Sequence, residues 1–285
     1  MIVKNVAKKR WLRIVMVLAI LFLWILYGNN RLVITEYSVN STDIPEVFAG
    51  FRIAQISDLH NAQFGRENEK LLEQLTQTDP DVIFLTGDLV DSRRTDLEIA
   101  FQFAARAVQI APVYYVPGNH EARTPEYEQL KAGLLDAGVT VLENQKVQLT
   151  REGTKITLMG ISDPSFCTEY LLGDSVTVAA QAIADLQNEA DGYTVLLSHR
   201  PELFETYVAA EMDLVFSGHA HGGQFCIPFI GGLVAPNQGF FPQYDAGQFR
   251  QGNTTMIVSR GVGNSILPVR INNPPEIVVV ELSSR

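Results

Sequence analysis

The chain is poor in residues that would announce several common chemistries. It has two cysteines in 285 residues, Cys167 and Cys226, which stand 59 positions apart with no C-x-x-C spacing. That pattern suggests neither a thiolate zinc site nor a disulfide framework, and it reads as two packed thiols. No internal repeat or low-complexity tract occurs, and a hydrophobic content of 46% argues against disorder. Acid is absent from residues 1–30, which hold Lys4, Lys8, Lys9, Arg10 and Arg13; with a net charge of −10 overall, the remainder carries −15. Such an acidic body repels a nucleic-acid backbone, so no nucleic-acid polymer is expected as a partner. Histidine is scarce too, with five in the chain.

The N-terminal stretch WLRIVMVLAILFLWILY is apolar without interruption from Ile14 to Tyr27, and extends to Trp11 if Arg13 turns toward the headgroups. It is short for a membrane span. GNNRLV follows where a small-x-small cleavage site would stand, which favours an uncleaved anchor over a signal peptide. Five basic residues precede the stretch and Arg31 follows it, so an inside N-terminus and a domain on the outer face of the cell membrane are expected. The division expected is 1–10 as a basic cytoplasmic segment, 11–28 as a transmembrane anchor, 29–48 as a linker and first strand, and 49–285 as one catalytic domain.

Short runs rich in Val, Ile, Phe and Tyr recur in that domain: FRIAQIS, DVIFLTG, PVYYVPG, KITLMGIS, YTVLLS, DLVFSG, TTMIVS and EIVVVEL. They read as buried strands. Helical spacing marks RENEKLLEQLTQ, TDLEIAFQFAARAVQ, PEYEQLKAGLLDAG and SVTVAAQAIADLQNE, with Gly138 at a helix end and Pro125 and Pro201 in first turns. The alternation indicates an α/β fold with helices covering a largely buried sheet arrangement. Periodicity leaves open whether there is one sheet or two.

Five of these strands end in polar signatures: SDLH with Asp58 and His60, GDLVD with Asp88 and Asp91, GNHE with Asn119, His120 and Glu121, SHRP with His199, and SGHAHGGQ with His219 and His221. All five histidines are used here. Loops beyond the carboxyl ends of strands form the binding crevice of open α/β sheets, so these endings can converge. Gly87, Gly118 and Gly218 suit the close approaches such turns need. Taken singly each signature is ordinary: D-x-H is a common turn, Gly-Asp is turn chemistry, and GNHE can be a helix cap. Together, in order and each after a strand, they form a donor set. Asp58, His60, Asp88, Asn119, His199, His219 and His221 are too many ligands for one ion and fit two if a carboxylate bridges. Oxygen and nitrogen donors without thiolate suit manganese, iron or zinc. Two such cations can hold a hydroxide between them and clamp both oxygens of an in-line phosphoryl displacement.

The ordered set resembles the calcineurin-like metallophosphoesterase superfamily over roughly residues 50 to 225. The tail SRGVGNSILPVRINNPPEIVVVEL and the anchor are similar to its membrane-associated bacterial branch of YaeI- or YkuE-like phosphoesterases. The resemblance implies a four-layer α-β-β-α sandwich of two mixed sheets packed face to face, helices outside. It also implies Asp58, His60 and His221 on one metal, Asn119, His199 and His219 on a second, and Asp88 bridging. His120 would protonate the leaving oxygen, with Asp91 holding its ring. Glu121 and Gly222 to Gln224 read as structural. Arg93, Arg94 and Arg200 stand near enough in sequence to reach a phosphate, the first two more simply as solvated side chains.

The expected reaction is hydrolysis of a phosphodiester, phosphomonoester or pyrophosphate; the anchor and acidic surface favour a lipid-linked or small phosphoester. A nucleotide or cyclic-nucleotide phosphodiesterase, and a metal-binding sensor without turnover, remain open alternatives. Phe240, Phe241, Tyr244 and Phe249 cluster in a turn-rich stretch, where core packing is expected over a substrate rim.

Overall fold

The computed structural model describes residues 2–167, 174–188, 192–264 and 268–284, with side chains from residue 10 onward. The side chains of Lys4, Lys8 and Lys9, and residues 265–267 of the tail, lie outside the described residues. In chain order the strands are β1 (Val33–Asn40), β2 (Arg52–Ile56), β3 (Val82–Thr86), β4 (Val113–Val116), β5 (Thr140–Val141), β6 (Gln145–Arg151), β7 (Thr154–Gly160) and β8 (Thr194–Leu197). They continue with β9 (Leu214–Ser217), β10 (Cys226–Ile227), β11 (Gly231–Gly232), β12 (Val234–Ala235), β13 (Gly239–Phe240), β14 (Gly247–Gln251), β15 (Thr254–Val258) and β16 (Glu276–Ser283). The helices are α1 (Ile2–Asn30), α2 (Glu69–Gln77), α3 (Leu97–Ala107), α4 (Asn119–Ala122), α5 (Tyr127–Asp136), α6 (Ser175–Gln187) and α7 (Phe204–Ala209).

Every apolar run expected as a strand is one, and every stretch with helical spacing is a helix. What apolar runs could not reveal are the edge strands β1, β6 and β14, half exposed and rich in polar residues. Gly138 ends α5 in the left-handed region, φ 93°, and its N–H bonds Leu135 O at 2.9 Å. Pro201 opens a 3-10 turn as expected, whereas Pro125 lies one residue before Glu126, the cap of α5, rather than in its first turn.

Among the described residues there are two six-stranded sheets, ordered β1-β16-β2-β3-β4-β5 and β14-β15-β9-β8-β7-β6. Both mix parallel and antiparallel pairs. They pack face to face through an apolar layer in which Phe84 of one meets Phe216 of the other, ring centroids 5.2 Å apart. A second layer of core joins the first sheet to α2, α3 and α5, and a third joins the other sheet to α6 and α7. The result is the four-layer α-β-β-α sandwich. Central strands such as β3 (VIFLT) are buried at every position because both faces are covered.

This topology positions the site. Strands β2, β3 and β4 are mutually parallel, as are β8 and β9, so the carboxyl ends within each set share one sheet edge. Fully buried Gln55 of β2 joins the sheets, its Nε2 donating to Thr86 Oγ1 at 2.9 Å and to Ser217 O of the other sheet at 2.8 Å. At the other end of the chain, α1 includes Arg10–Asn30, long and apolar enough to cross a membrane and exposed except at Ile25, Gly28 and Asn29 near its end.

Candidate metal centre

Each expected donor lies just past a strand end, and all seven are buried. Asp58 Oδ1 lies 3.8 Å from His60 Nε2 and 3.4 Å from His221 Nε2, and the two imidazole nitrogens are 3.2 Å apart. Across the centre, His199 Nε2 lies 3.2 Å from Asp88 Oδ2 and 3.2 Å from His219 Nδ1. Asp88 Oδ2 is also 3.5 Å from His60 Nε2, so one oxygen faces both clusters. A further grouping within ligand distance joins His60 and Asp88 to His120.

These separations test whether cations fit. An ion bonding two donors at about 2.1 Å places them about 3.0 to 3.4 Å apart. The two nitrogen–nitrogen approaches match, and paired imidazole lone pairs repel unless a cation or a proton lies between them. Asn119 adds an amide oxygen, Oδ1, that is buried and has no hydrogen-bond partner among the described residues. The donors fit two cations.

Backbone strain supports a functional origin. Asp58 (φ 54°), His60 (46°), Asp88 (55°), His219 (65°) and His221 (49°) all adopt the left-handed region. For residues other than glycine that costs on the order of 1–3 kcal/mol each, and is kept where surrounding structure enforces a site. The neighbouring glycines provide the space. A Cβ on Gly87 would strike His199 Nδ1, one on Gly118 would strike Asp88, and one on Gly218 would strike Ser57 Oγ and Asp58 Oδ2. Gly218→Ala is therefore expected to displace Asp58 and weaken ion binding by about 10- to 100-fold, the cost of losing a ligand's support. Calorimetric metal titration of the folded variant checks this; unchanged affinity would show that the contact is not limiting.

The groups that support these donors lie partly outside the motifs, in Thr86, Asn237, Asn273 and Arg270, and partly within them, in Ser57 and in Glu121, which is structural as expected. Ser57 Oγ donates to Asp58 Oδ2 at 2.6 Å, and the His219 N–H reaches the Asp58 carboxylate at 3.1 Å. His199 Nδ1–H donates to Thr86 O at 2.7 Å, which leaves Nε2 facing inward. Asn237 Nδ2 lies 3.2 Å from His219 Nε2, and Asn273 Nδ2 holds His221 O at 2.7 Å. Arg270, wholly buried, brings Nη2 to 3.5 Å from His221 Nδ1. Glu121 accepts the N–H groups of Gly118 (2.7 Å), Asp88 (2.8 Å) and Val90 (3.2 Å), tying the loops after β3 and β4 together. Burial, with Asp88 nearby, pushes its carboxyl up to about 7.

Charge is tightly balanced. Burial opposes ionisation of Asp88, yet His199, His60 and His120 hold its carboxyl well below the ordinary range. Burial would lower His199, but Asp88 outweighs it and raises the imidazole to about 10. His221 is pushed down to about 3, chiefly by burial and also by His60 and Arg270.

His120 is held differently from the expectation. Its Nδ1 accepts the Ser92 N–H at 3.1 Å, while Asp91 Oδ1 is 3.7 Å away. The Asp91 carboxylate instead takes the fork of Arg93, at 3.0 Å to Nε and 2.8 Å to Nη2, and against the effect of burial this lowers it to about 2. With Nδ1 accepting, the neutral ring of His120 carries its proton on Nε2. Burial, together with His60 and His199, lowers its pKa to about 4. Arg200 is locked on Asp163 at 2.7 and 2.9 Å, and the Arg94 side chain is 78% exposed. Tyr244 packs edge-on against Phe204 and Phe249 as core, but Phe240 and Phe241 are exposed, against the packing expected of them.

Histidine and carboxylate donors gathered where two packed sheets share an edge define a metallophosphoesterase, and the chain belongs to the calcineurin-like phosphoesterase family, whose model matches residues 51–223. Its members hydrolyse phosphoesters. The chain is 29% identical over 260 residues to the uncharacterized metallophosphoesterase YkuE of Bacillus subtilis, covering 88% of this chain and 85% of that one. It is 28% identical over 243 residues to phosphodiesterase YaeI of Escherichia coli, covering 82% and 83%. The crystal structure of TT1561 from Thermus thermophilus shares the fold, with a TM-score of 0.51 at 15% identity, over 74% of this chain and 90% of that one.

Proposed function

We propose that the chain is a membrane-anchored phosphoesterase using two ions, one on Asp58, His60 and His221, the other on Asn119, His199 and His219, with Asp88 shared. The position of Asp88 Oδ2, 3.5 Å from His60 Nε2 and 3.2 Å from His199 Nε2, carries this reading. Manganese, iron or zinc suits the donors. When bound, the ions would supply an activated water and offset charge on the phosphoryl oxygens. The protein's own groups orient and donate. Thr86 O fixes the His199 tautomer, Asn119 offers Oδ1, and His120 presents an N–H to the leaving oxygen, backed by Ser92 and, at longer range, by Asp91.

The substrate class is a lipid-linked or small phosphoester. Exposed, apolar α1 supports an anchor, and the basic residues ahead of it support an inside N-terminus with the catalytic domain on the outer face.

The test is metal-stripped full-length protein in detergent, assayed on a chromogenic phosphodiester with Mn²⁺, Fe²⁺ or Zn²⁺ added back. Activity is expected only with metal. Because His199 without metal is protonated up to pH about 10, an entering ion must expel that proton. Apparent affinity should therefore rise with pH, about tenfold per unit for each proton displaced. Equal hydrolysis by the stripped protein, or affinity flat between pH 6 and 8, would remove the proposed centre.

A further inference from the structure

Two hairpins, β10–β11 and β12–β13, lie between the His219–His221 turn and edge strand β14. Turns usually take Gly, Pro, Asn, Asp or Ser. The first follows Pro228 with Phe229, fully exposed, and Ile230, 64% exposed; the second carries Phe240 and Phe241, 75% and 60% exposed. Phe229 and Phe241 also adopt φ of 70° and 55°, a left-handed conformation that glycine or asparagine would take more cheaply. Phe229 and Phe241 are thus disfavoured twice in water, by exposure and by backbone, and Phe240 once, by exposure.

Their position suggests what covers them. At the end of α1, Asn29 Nδ2 donates to Arg270 O at 2.8 Å and Asn29 Oδ1 accepts the Arg270 N–H at 2.7 Å. The next residue, Ile271, bridges Phe225 and accepts the Cys226 N–H at 2.9 Å. The first hairpin therefore hangs from the segment that grips the anchor, and the three residues from Cys226 to Phe229 span at most about 10 Å. On its other side the same lobe meets the metal centre. The backbone of Gly223 lies against Gly232, and Asn237, in the turn of the second hairpin, bonds His219.

We propose that the two hairpins form a second membrane contact, with Phe229, Ile230, Phe240 and Phe241 entering the interface of the bilayer that α1 crosses. The proposal rests on the reading of α1 as an anchor. Phenylalanine and large aliphatic side chains bury at the boundary between headgroups and acyl chains. The charge of −15 beyond residue 30 makes the contact apolar rather than electrostatic, so a zwitterionic surface suffices. A phosphoester seated among lipid headgroups would then reach the centre without leaving the bilayer.

The test uses full-length protein in which Trp11→Phe and Trp24→Phe remove the two native tryptophans. A single probe is introduced as Phe229→Trp, as Phe240→Trp in a second variant, or as Leu135→Trp, a half-exposed control on α5. In phosphatidylcholine vesicles the probes at 229 and 240 should show blue-shifted emission, quenching by acyl-chain bromine, and iodide quenching at least about threefold weaker than at 135, as for an interfacial aromatic. Anionic lipid should not be required. If both hairpin probes are as open to iodide as the control while alkaline carbonate leaves the protein in the vesicles, the contact is absent and the anchor stands. If carbonate extracts the protein, the anchor reading falls and the contact with it.

Discussion

Replacing Asp88 with alanine is expected to abolish ion binding in both clusters at once and to lower kcat/KM by on the order of 10³-fold or more, at least the loss of one preorganised electrostatic donor. The geometry requires a joint effect. Asp88 Oδ2 lies within 3.5 Å of ring nitrogens from both sheets' loops, and Oδ1 accepts the His120 N–H at 2.9 Å. Without the carboxylate, His60 and His199 lose the anion that raises both imidazoles, and a cation there would meet mostly neutral donors. Asp88→Asn keeps the shape but not the charge, so it separates electrostatics from packing: it should retain the melting temperature better than Asp88→Ala and still bind less than one ion per chain. Elemental analysis and thermal melting of both variants check this. An Asp88→Ala protein that holds two ions and keeps a tenth of its activity would mean that the clusters do not share this oxygen.

What the sequence made legible follows from how locally each feature is encoded. A donor two or three residues past an apolar run is written in adjacent letters, and parallel strand order then carries those ends to one edge; Asp58, Asp88, Asn119, His199 and His219 were readable for that reason. Asn237, Asn273 and Arg270 were not. They act on His219 and His221 from 18, 52 and 49 positions away, out of turn-rich segments with no periodic signal. A first strand is expected within 29–48, but the bounds of edge strand β1 are not legible, because a half-exposed strand shows polar alternation instead of an apolar run; its pairing with β16 joins residues some 243 positions apart. The partner of Asp91 turned on a competition that spacing cannot decide. A guanidinium two residues away offers two charge-assisted bonds, which outweigh a single contact to a buried neutral imidazole.

That competition shapes what His120→Ala should do. The Ser92 N–H on Nδ1 keeps the resting ring neutral, with its N–H on Nε2, and the low pKa of about 4 has burial as its main cause. An anionic phosphoester entering beside the ring raises that pKa, so proton uptake at Nδ1, which faces Ser92 Oγ at 3.2 Å and Asp91 Oδ1 at 3.7 Å, should accompany substrate binding and leave the Nε2 proton placed to pass to the departing oxygen. The variant should keep both ions, because His120 duplicates no ligand of either proposed set. Its kcat should fall by about 10²- to 10⁴-fold on an alkyl phosphodiester, whose alkoxide cannot leave without a proton. On a p-nitrophenyl ester, whose leaving oxygen is already stable as an anion, the loss should be far smaller. A series of esters of graded leaving-group pKa, run on wild type and variant at equal metal content, reads the difference as a steeper slope for the variant. Parallel slopes would assign His120 to holding the substrate phosphate and leave another group to protonate the leaving oxygen. Asp91→Asn should then move the slope much less than His120→Ala, since its carboxylate reaches the ring only at 3.7 Å.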